Sequence, residues 1–163
     1  MPIKVKSWGV SPDYGVPLEK IRVILADDHP FLRTGLRKIL DKTTDIIVVG
    51  EASDGAQALS LVESLEPDVL VLDVEMPYMN GIQVARELNS RDSDVRILVL
   101  SAHDDRAHIL GMLDAGVAGY LTKDEASEVL VKAVRGVAEG KDGWLSQRVA
   151  RKIDPASGRA SSS

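Results

Sequence analysis

A single doubly wound α/β domain is the fold class this chain predicts, on three observations. Short apolar runs rich in Val, Ile and Leu alternate with amphipathic stretches of helical length. The alternation repeats five times over about 120 residues. The runs are apolar throughout rather than at every second residue, which is the pattern of strands covered on both faces in a parallel sheet.

The first run is Ile21 to Ala26. Pro30 after it suits the first position of a helix, and Leu32, Leu36, Ile39 and Leu40 share one helical face. The second, Ile46 to Gly50, leads to Ser53 and Asp54 as helix caps and Gly55 as a turn, with Ala56, Leu59 and Val62 on the apolar side of the helix. The third, Val69 to Leu72, is followed by the turn signal Asn80-Gly81 and by Val84, Ala85 and Leu88. The fourth, Ile97 to Leu100, precedes a helix expected to begin near Asp104. The fifth, Ala118 to Leu121, precedes the clearest helix, where Ala126, Val129, Leu130, Ala133, Val134 and Val137 follow the i, i+3, i+4, i+7 rule.

The expected division is a flexible N-terminal extension over 1–20, the domain over 21–140, and a linker or tail over 141–163. Residues 1–20 hold three prolines and two glycines without periodicity, and 141–163 hold a short possible helix from Gln147 to Ile153 before a tail rich in Ser, Ala and Gly. No second domain fits after Gly140.

Composition narrows the function. A chain of 163 residues with 44% hydrophobic content can bury one ordinary core. No run of about 18 apolar residues could span a membrane and no secretory signal opens the chain, so a cytoplasmic protein without membrane contact is expected. Without cysteine there is no disulfide framework, thiolate metal site or cysteine nucleophile. The net charge of −5 offers no overall footprint for nucleic acid, although Lys141, Arg148, Arg151, Lys152 and Arg159 gather near the C-terminus, as in a solvated tail.

In an open parallel sheet, ligands bind beyond the carboxyl ends of the strands. The first run ends in Asp27-Asp28-His29-Pro30 and the third in Asp73-Val74-Glu75-Met76-Pro77. If the two strands are neighbours, three carboxylates converge, and their mutual repulsion calls for a divalent cation. Hard oxygen donors favour Mg²⁺, which also binds phosphate oxygens. The fourth run ends in Ser101-Ala102 and the fifth in Tyr120-Leu121-Thr122-Lys123-Asp124. Taken alone, Asp28 or His29 reads as a cap, Ser101 as a cap and Lys123 as a surface lysine. Together they form an ordered set in which a hydroxyl and an ammonium can donate to phosphoryl oxygens.

Asp27-Asp28, Asp73 with Met76-Pro77 and Asn80-Gly81, Ser101-Ala102, and Gly119-Tyr120-Leu121-Thr122-Lys123 resemble the receiver domain of two-component response regulators, over roughly Lys20 to Gly140. The resemblance implies a (βα)5 flavodoxin-like fold with a five-stranded parallel sheet in the order 2-1-3-4-5. It implies that a histidine kinase or small phosphodonor passes a phosphoryl group to Asp73. Asp28 would ligate Mg²⁺ directly, Asp27 directly or through water, and the Glu75 backbone carbonyl would complete the protein's metal ligands with Asp73. Lys123 would neutralise charge, Ser101 would swing toward the new phosphoryl group, and Tyr120 would turn inward with it.

Such a domain is a switch with self-catalysed phosphotransfer and autodephosphorylation rather than an enzyme. Homodimerisation on activation is expected. Ile-Leu-Ala-Asp-Asp-His-Pro, Gly-Tyr-Leu-Thr-Lys-Asp and Gly-Trp-Leu-Ser resemble the subgroup that carries a C-terminal LuxR-type helix-turn-helix, so DNA would be reached only through a domain not in this chain. Glu75 and His103, each two residues past a shared position, are expected from proximity to set the lifetime of the phosphorylated state, while His29 and His108 read as helix-start and surface residues.

Three rivals are weaker. Gly50 to Gln57 has the glycine spacing of a phosphate-binding loop, but Ala56-Gln57 replaces its Lys-Ser/Thr. An aspartyl phosphatase would account for Asp73-Val74-Glu75 but not for the acidic pair after the first strand. A stand-alone receiver or phosphorylation-independent interaction module keeps the fold and leaves five filled chemical positions unexplained.

Overall fold

Strands without alternating polarity need cover on both faces, and the computed structural model supplies it for residues 19–140 and 143–154, the part of the chain described here. The extension through residue 18, Lys141, and the tail from residue 155, Arg159 included, lie outside the described residues. The strands are β1 (Ile21–Ala26), β2 (Ile46–Ala52), β3 (Val69–Asp73), β4 (Arg96–Ser101), β5 (Gly119–Thr122) and β6 (Trp144–Leu145). They form one parallel sheet in the order β2-β1-β3-β4-β5-β6. The 2-1-3-4-5 order is as expected, and a sixth strand extends it. Trp144-Leu145 is too short to carry a periodic signal, and it joins the sheet because its backbone completes the free edge of β5.

The helices are α1 (Pro30–Asp41), α2 (Gly55–Leu65), α3 (Gly81–Ser90), α4 (Arg106–Asp114), α5 (Ala126–Ala138) and α6 (Gln147–Ile153). One apolar layer joins Leu36, Leu40, Leu130, Ala133 and Val134 to one face of the sheet, and another joins Ala58, Val62, Val84, Leu88 and Ile109 to the opposite face. Burial on both faces is why the strands lack polar alternation. On α2 the buried side is Ala58, Leu59 and Val62, whereas Ala56 is exposed, one residue off the expected face.

Local chemistry sets the helix starts. Pro30 opens α1, with His29 at the cap position. The Asp54 carboxylate accepts from the Gln57 amide, and Asn80 and Gln83 form a reciprocal capping box. Gly81 allows α3 to begin against β3, since a Cβ there would fall 2.7 Å from Val74 Cα. The α4 cap is Asp105, not Ser101, and the helix begins at Arg106, later than expected. β2 runs on past Gly50 to Ala52, pairing Glu51 with Leu25 and Ala52 with Ala26, and a register shift against β1 between Val23 and Ile24 places one extra residue in that strand.

Candidate functional site

The sheet register decides which residues meet. Ala26 pairs with Leu72, Asp73 with Leu100 and Ser101 with Thr122. Asp27, Asp73, Ser101 and Thr122 therefore stand in a row at the carboxyl edge, with Asp28 and Lys123 one residue further on. All four residues of that row are buried.

Asp73 is 1% exposed. Its Oδ1 lies 2.9 Å from Lys123 Nζ and accepts the Glu75 amide at 3.0 Å. Burial pushes the Asp73 carboxyl above the usual carboxylate range, and the Asp27 charge adds to that; the Lys123 ammonium and the Glu75 amide pull the other way. Asp27 Oδ1 accepts the His29 amide at 2.8 Å, and the Asp27 carbonyl accepts from Arg33 Nη1 at 2.6 Å. Arg33 Nε is itself held by Glu51 at 3.0 Å, on the extended part of β2.

Three buried carboxylate oxygens, Asp27 Oδ2, Asp28 Oδ1 and Asp73 Oδ2, have no hydrogen-bond partner among the described residues. Buried anions without donors are costly, and three at one edge are the donor set of a hard divalent cation. The residues fit such an ion: Asp27, Asp28, His29 and Asp73 each place a ligand atom within 4.8 Å of the others. His29 is the member that the sequence reading left out. It does start a helix, as expected, but its ring also faces the acids, with Nδ1 3.1 Å from Asp27 Oδ1 and 3.0 Å from Asp28 Oδ1, the latter without hydrogen-bond alignment. Only the tertiary arrangement turns its side chain toward them.

Ser101 points its hydroxyl at its own loop, where Oγ accepts the His103 amide at 3.0 Å. Tyr120 is wholly buried, not a partly exposed strand-end aromatic, and its hydroxyl donates to the His103 carbonyl at 2.6 Å. Burial raises the Tyr120 pKa. The loop after β4 is thus tied from below by Tyr120. From across the site it is tied by Glu75, whose Oε1 lies 2.7 Å from His103 Nε2. His103 stacks on His108, ring centroids 4.1 Å apart, and the half-exposed His108 places Nδ1 2.7 Å from Asp105 Oδ1, a contact that holds the Asp105 carboxyl low.

On the other side of Lys123, Thr122 Oγ1 donates to Asp124 at 2.6 Å, and Glu125 accepts the Thr122 amide at 2.9 Å. These fix the short 3₁₀ turn Lys123–Glu125 that aims Lys123 at Asp73. Thr122 and Glu125 escaped the sequence reading, although the Thr-x-x-Glu spacing is that of a capping box.

A parallel sheet edged by two acids, a central buried acid, a hydroxyl and a lysine, each on its own strand end, defines a receiver-type signalling domain. The chain belongs to the response regulator receiver domain family, whose model matches residues 23–135. It is 45% identical over 124 residues to the probable transcriptional regulatory protein NarL of Mycobacterium tuberculosis, an alignment covering 76% of this chain and 57% of that one. It is 40% identical over 121 residues to the transcriptional regulatory protein DegU of Brevibacillus brevis, covering 74% and 51%. A LuxR-family two-component response regulator from Aurantimonas sp. SI85-9A1 superposes with a TM-score of 0.78 at 32% identity, covering 88% of this chain and all of that one. The chain spans about half the length of the curated relatives it matches. No helix among the described residues is long and apolar enough to cross a membrane.

Proposed function

We propose that this receiver is switched by a phosphoryl group accepted on Asp73. The observation that carries the reading is the buried Asp73 carboxylate, held through Oδ1 by Lys123 and the Glu75 amide while Oδ2 has no hydrogen-bond partner among the described residues. A carboxylate oxygen attacks phosphorus, the bond from phosphorus to the donor's imidazole nitrogen or acyl oxygen breaks, and that atom leaves with the electron pair. No proton leaves Asp73, so the protein's part is alignment and charge neutralisation.

Lys123 neutralises one charge. Asp27, Asp28, the Asp73 carboxylate and the Glu75 carbonyl would hold Mg²⁺, which when bound supplies the remaining positive charge to the transferring oxygens. Ser101 then donates its hydroxyl to a phosphoryl oxygen in place of accepting from His103, and Tyr120, already inward, packs beneath the displaced loop. A phosphoryl group adds roughly one to two negative charges and new acceptor oxygens, so it favours whichever loop arrangement donates to it. The Glu75–His103 pair spans this loop and that of Asp73, which supports a role for both in setting how long the phosphoryl group survives. Unchanged decay in Glu75→Asn and His103→Ala would remove that role.

The donor is a histidine kinase or a small phosphodonor. The receiver pairs with a second copy when phosphorylated and controls transcription through a DNA-binding domain outside this chain, with 21–140 as the receiver, 1–20 as an extension and 141–163 as a linker whose Trp144–Ile153 part packs onto the receiver. The relatives' names as transcriptional regulators support this output. The test is mass spectrometry of wild type and Asp73→Ala after acetyl phosphate, with and without Mg²⁺. A gain of about 80 Da that requires both Asp73 and Mg²⁺ is expected. No adduct under any condition would favour the phosphorylation-independent module.

A further inference from the structure

The segment after α5 is built into the domain. The Trp144 amide donates to the Ala118 carbonyl at 2.9 Å, and Val149 of α6 is wholly buried in the same apolar cluster as Ile109, Met112 and Tyr120. This anchors α6 against α4 and β5. From there its polar side reaches both loops that carry the chemistry.

Arg148 Nη1 lies 2.6 Å from Asp124 Oδ2, next to Lys123. Arg148 Nη2 and Lys152 Nζ lie 3.9 and 3.5 Å from Asp104 Oδ2, three residues past Ser101. Arg106 Nη1 donates to the Ile153 carbonyl at 2.7 Å, and Ser146 Oγ donates to Glu125 Oε2 at 2.9 Å. One short helix therefore grips the Ser101 loop and the Lys123 turn together.

We propose that α6 is the element through which the state of the site leaves the domain, and that loading the site loosens its grip. The inference rests on the phosphoryl switch proposed above. Ser101 Oγ now accepts from His103 N, and drawing its hydroxyl to a phosphoryl oxygen on Asp73 breaks that bond and pulls the 101–105 loop toward β3. Asp104 moves with the loop, away from Lys152 and Arg148. Exposed ion pairs are individually weak, so they can be exchanged without unfolding the domain, while Val149 and Trp144 keep the segment near its seat. Coupling is reciprocal: if loading weakens α6 by some factor, releasing α6 strengthens loading by the same factor.

The experiment uses beryllium fluoride with Mg²⁺, a noncovalent phosphoryl mimic, so that both quantities are equilibria. Hydrogen exchange at the amides of residues 149–153 is expected to quicken at least about fivefold on loading, the low end of coupling between sites. Arg148→Ala/Lys152→Ala, and separately Asp104→Asn from the loop side, are expected to bind the mimic more tightly by a matching factor. Acetyl phosphate with mass detection runs alongside. An adduct on Asp73 with unchanged exchange in α6 and unchanged affinity in both variants overturns this inference alone. No adduct and no mimic binding overturns the phosphoryl switch and this inference with it.

Discussion

Lys123 Nζ stands 2.9 Å from the Oδ1 of Asp73, a carboxylate that is only 1% exposed. The ammonium offsets part of the cost of burying that charge, and burial still prevails, since the Asp73 carboxyl titrates above its ordinary value of 3.8. Asp73→Asn should therefore stabilise the fold by about 1 kcal/mol at neutral pH without divalent cation, by removing a buried charge. A raised folded pKa means the folded state holds the proton more tightly. Wild type is relieved of the charge as pH falls through that raised value, fully so below the unfolded one, while Asn does not titrate. The advantage of Asn in urea denaturation should shrink toward acid pH, and one that grows would contradict the account.

Mg²⁺ should raise the stability of the wild type, because the three buried carboxylate oxygens that lack a hydrogen-bond donor among the described residues gain a cation only in the folded state. At ten times the dissociation constant the rise is about 1.4 kcal/mol. Asp28→Ala should lose most of this rise, read as the Mg²⁺-dependent change in Tm.

Arg135 grips Asp45 with two parallel bonds of 2.8 Å, tying α5 to the start of β2. Arg135 is 48% exposed, so solvent screens the pair and Asp45→Asn should cost no more than about 0.5–1 kcal/mol at neutral pH. The Arg135 hydrogen bond holds the Asp45 carboxyl below its ordinary 3.8. Its contribution is present above that value and is lost as pH falls through the lowered folded pKa, so wild type and Asp45→Asn should converge in acid.

A Cβ on Gly136 would lie 2.4 Å from Trp144 Cδ1. Gly136→Ala should cost about 1–3 kcal/mol through overpacking, despite the better helix propensity of Ala. In Gly136→Ala/Trp144→Ala the two costs should fall well short of adding, as a double-mutant cycle in chemical denaturation would show.

Tyr78 adopts φ 68°, a left-handed conformation unfavourable for a bulky residue, and its ring is 95% exposed, so little burial offsets the strain. Tyr78→Asn should stabilise by roughly 0.5 kcal/mol, since Asn tolerates this region at lower cost. Equal or lower stability in thermal melts would show that the ring has a contact worth more than the strain.

Each strand that the residues alone could delimit has the same physical basis: an unbroken apolar run closed by a polar one. That pattern was enough to locate β1, β3, β4, β5 and the acid, hydroxyl and lysine that follow them. It ended β2 two residues short, at Gly50, because Glu51 breaks the apolar run; in the structure Glu51 lies inside the strand and pairs with Arg33 and Arg37. It gave no sign of β6, whose two residues are held by an edge rather than by their own propensity.

The order of residue types along the chain by itself determined the fold class and the identity of the residues at the strand ends, and the resemblance those residues carry implied the strand order. Only the tertiary structure decided how they are arranged. It placed Asp73 in register beside Asp27 and left three oxygens without donors. It turned the His29 ring onto the acids, buried Tyr120 under the His103 carbonyl, and folded α6 back onto both loops. Periodicity records which side of an element is apolar, a property of neighbours in sequence. Desolvation, unpaired donors and ion pairs depend on residues as far apart as Asp45 and Arg135, and only the packed chain brings those together.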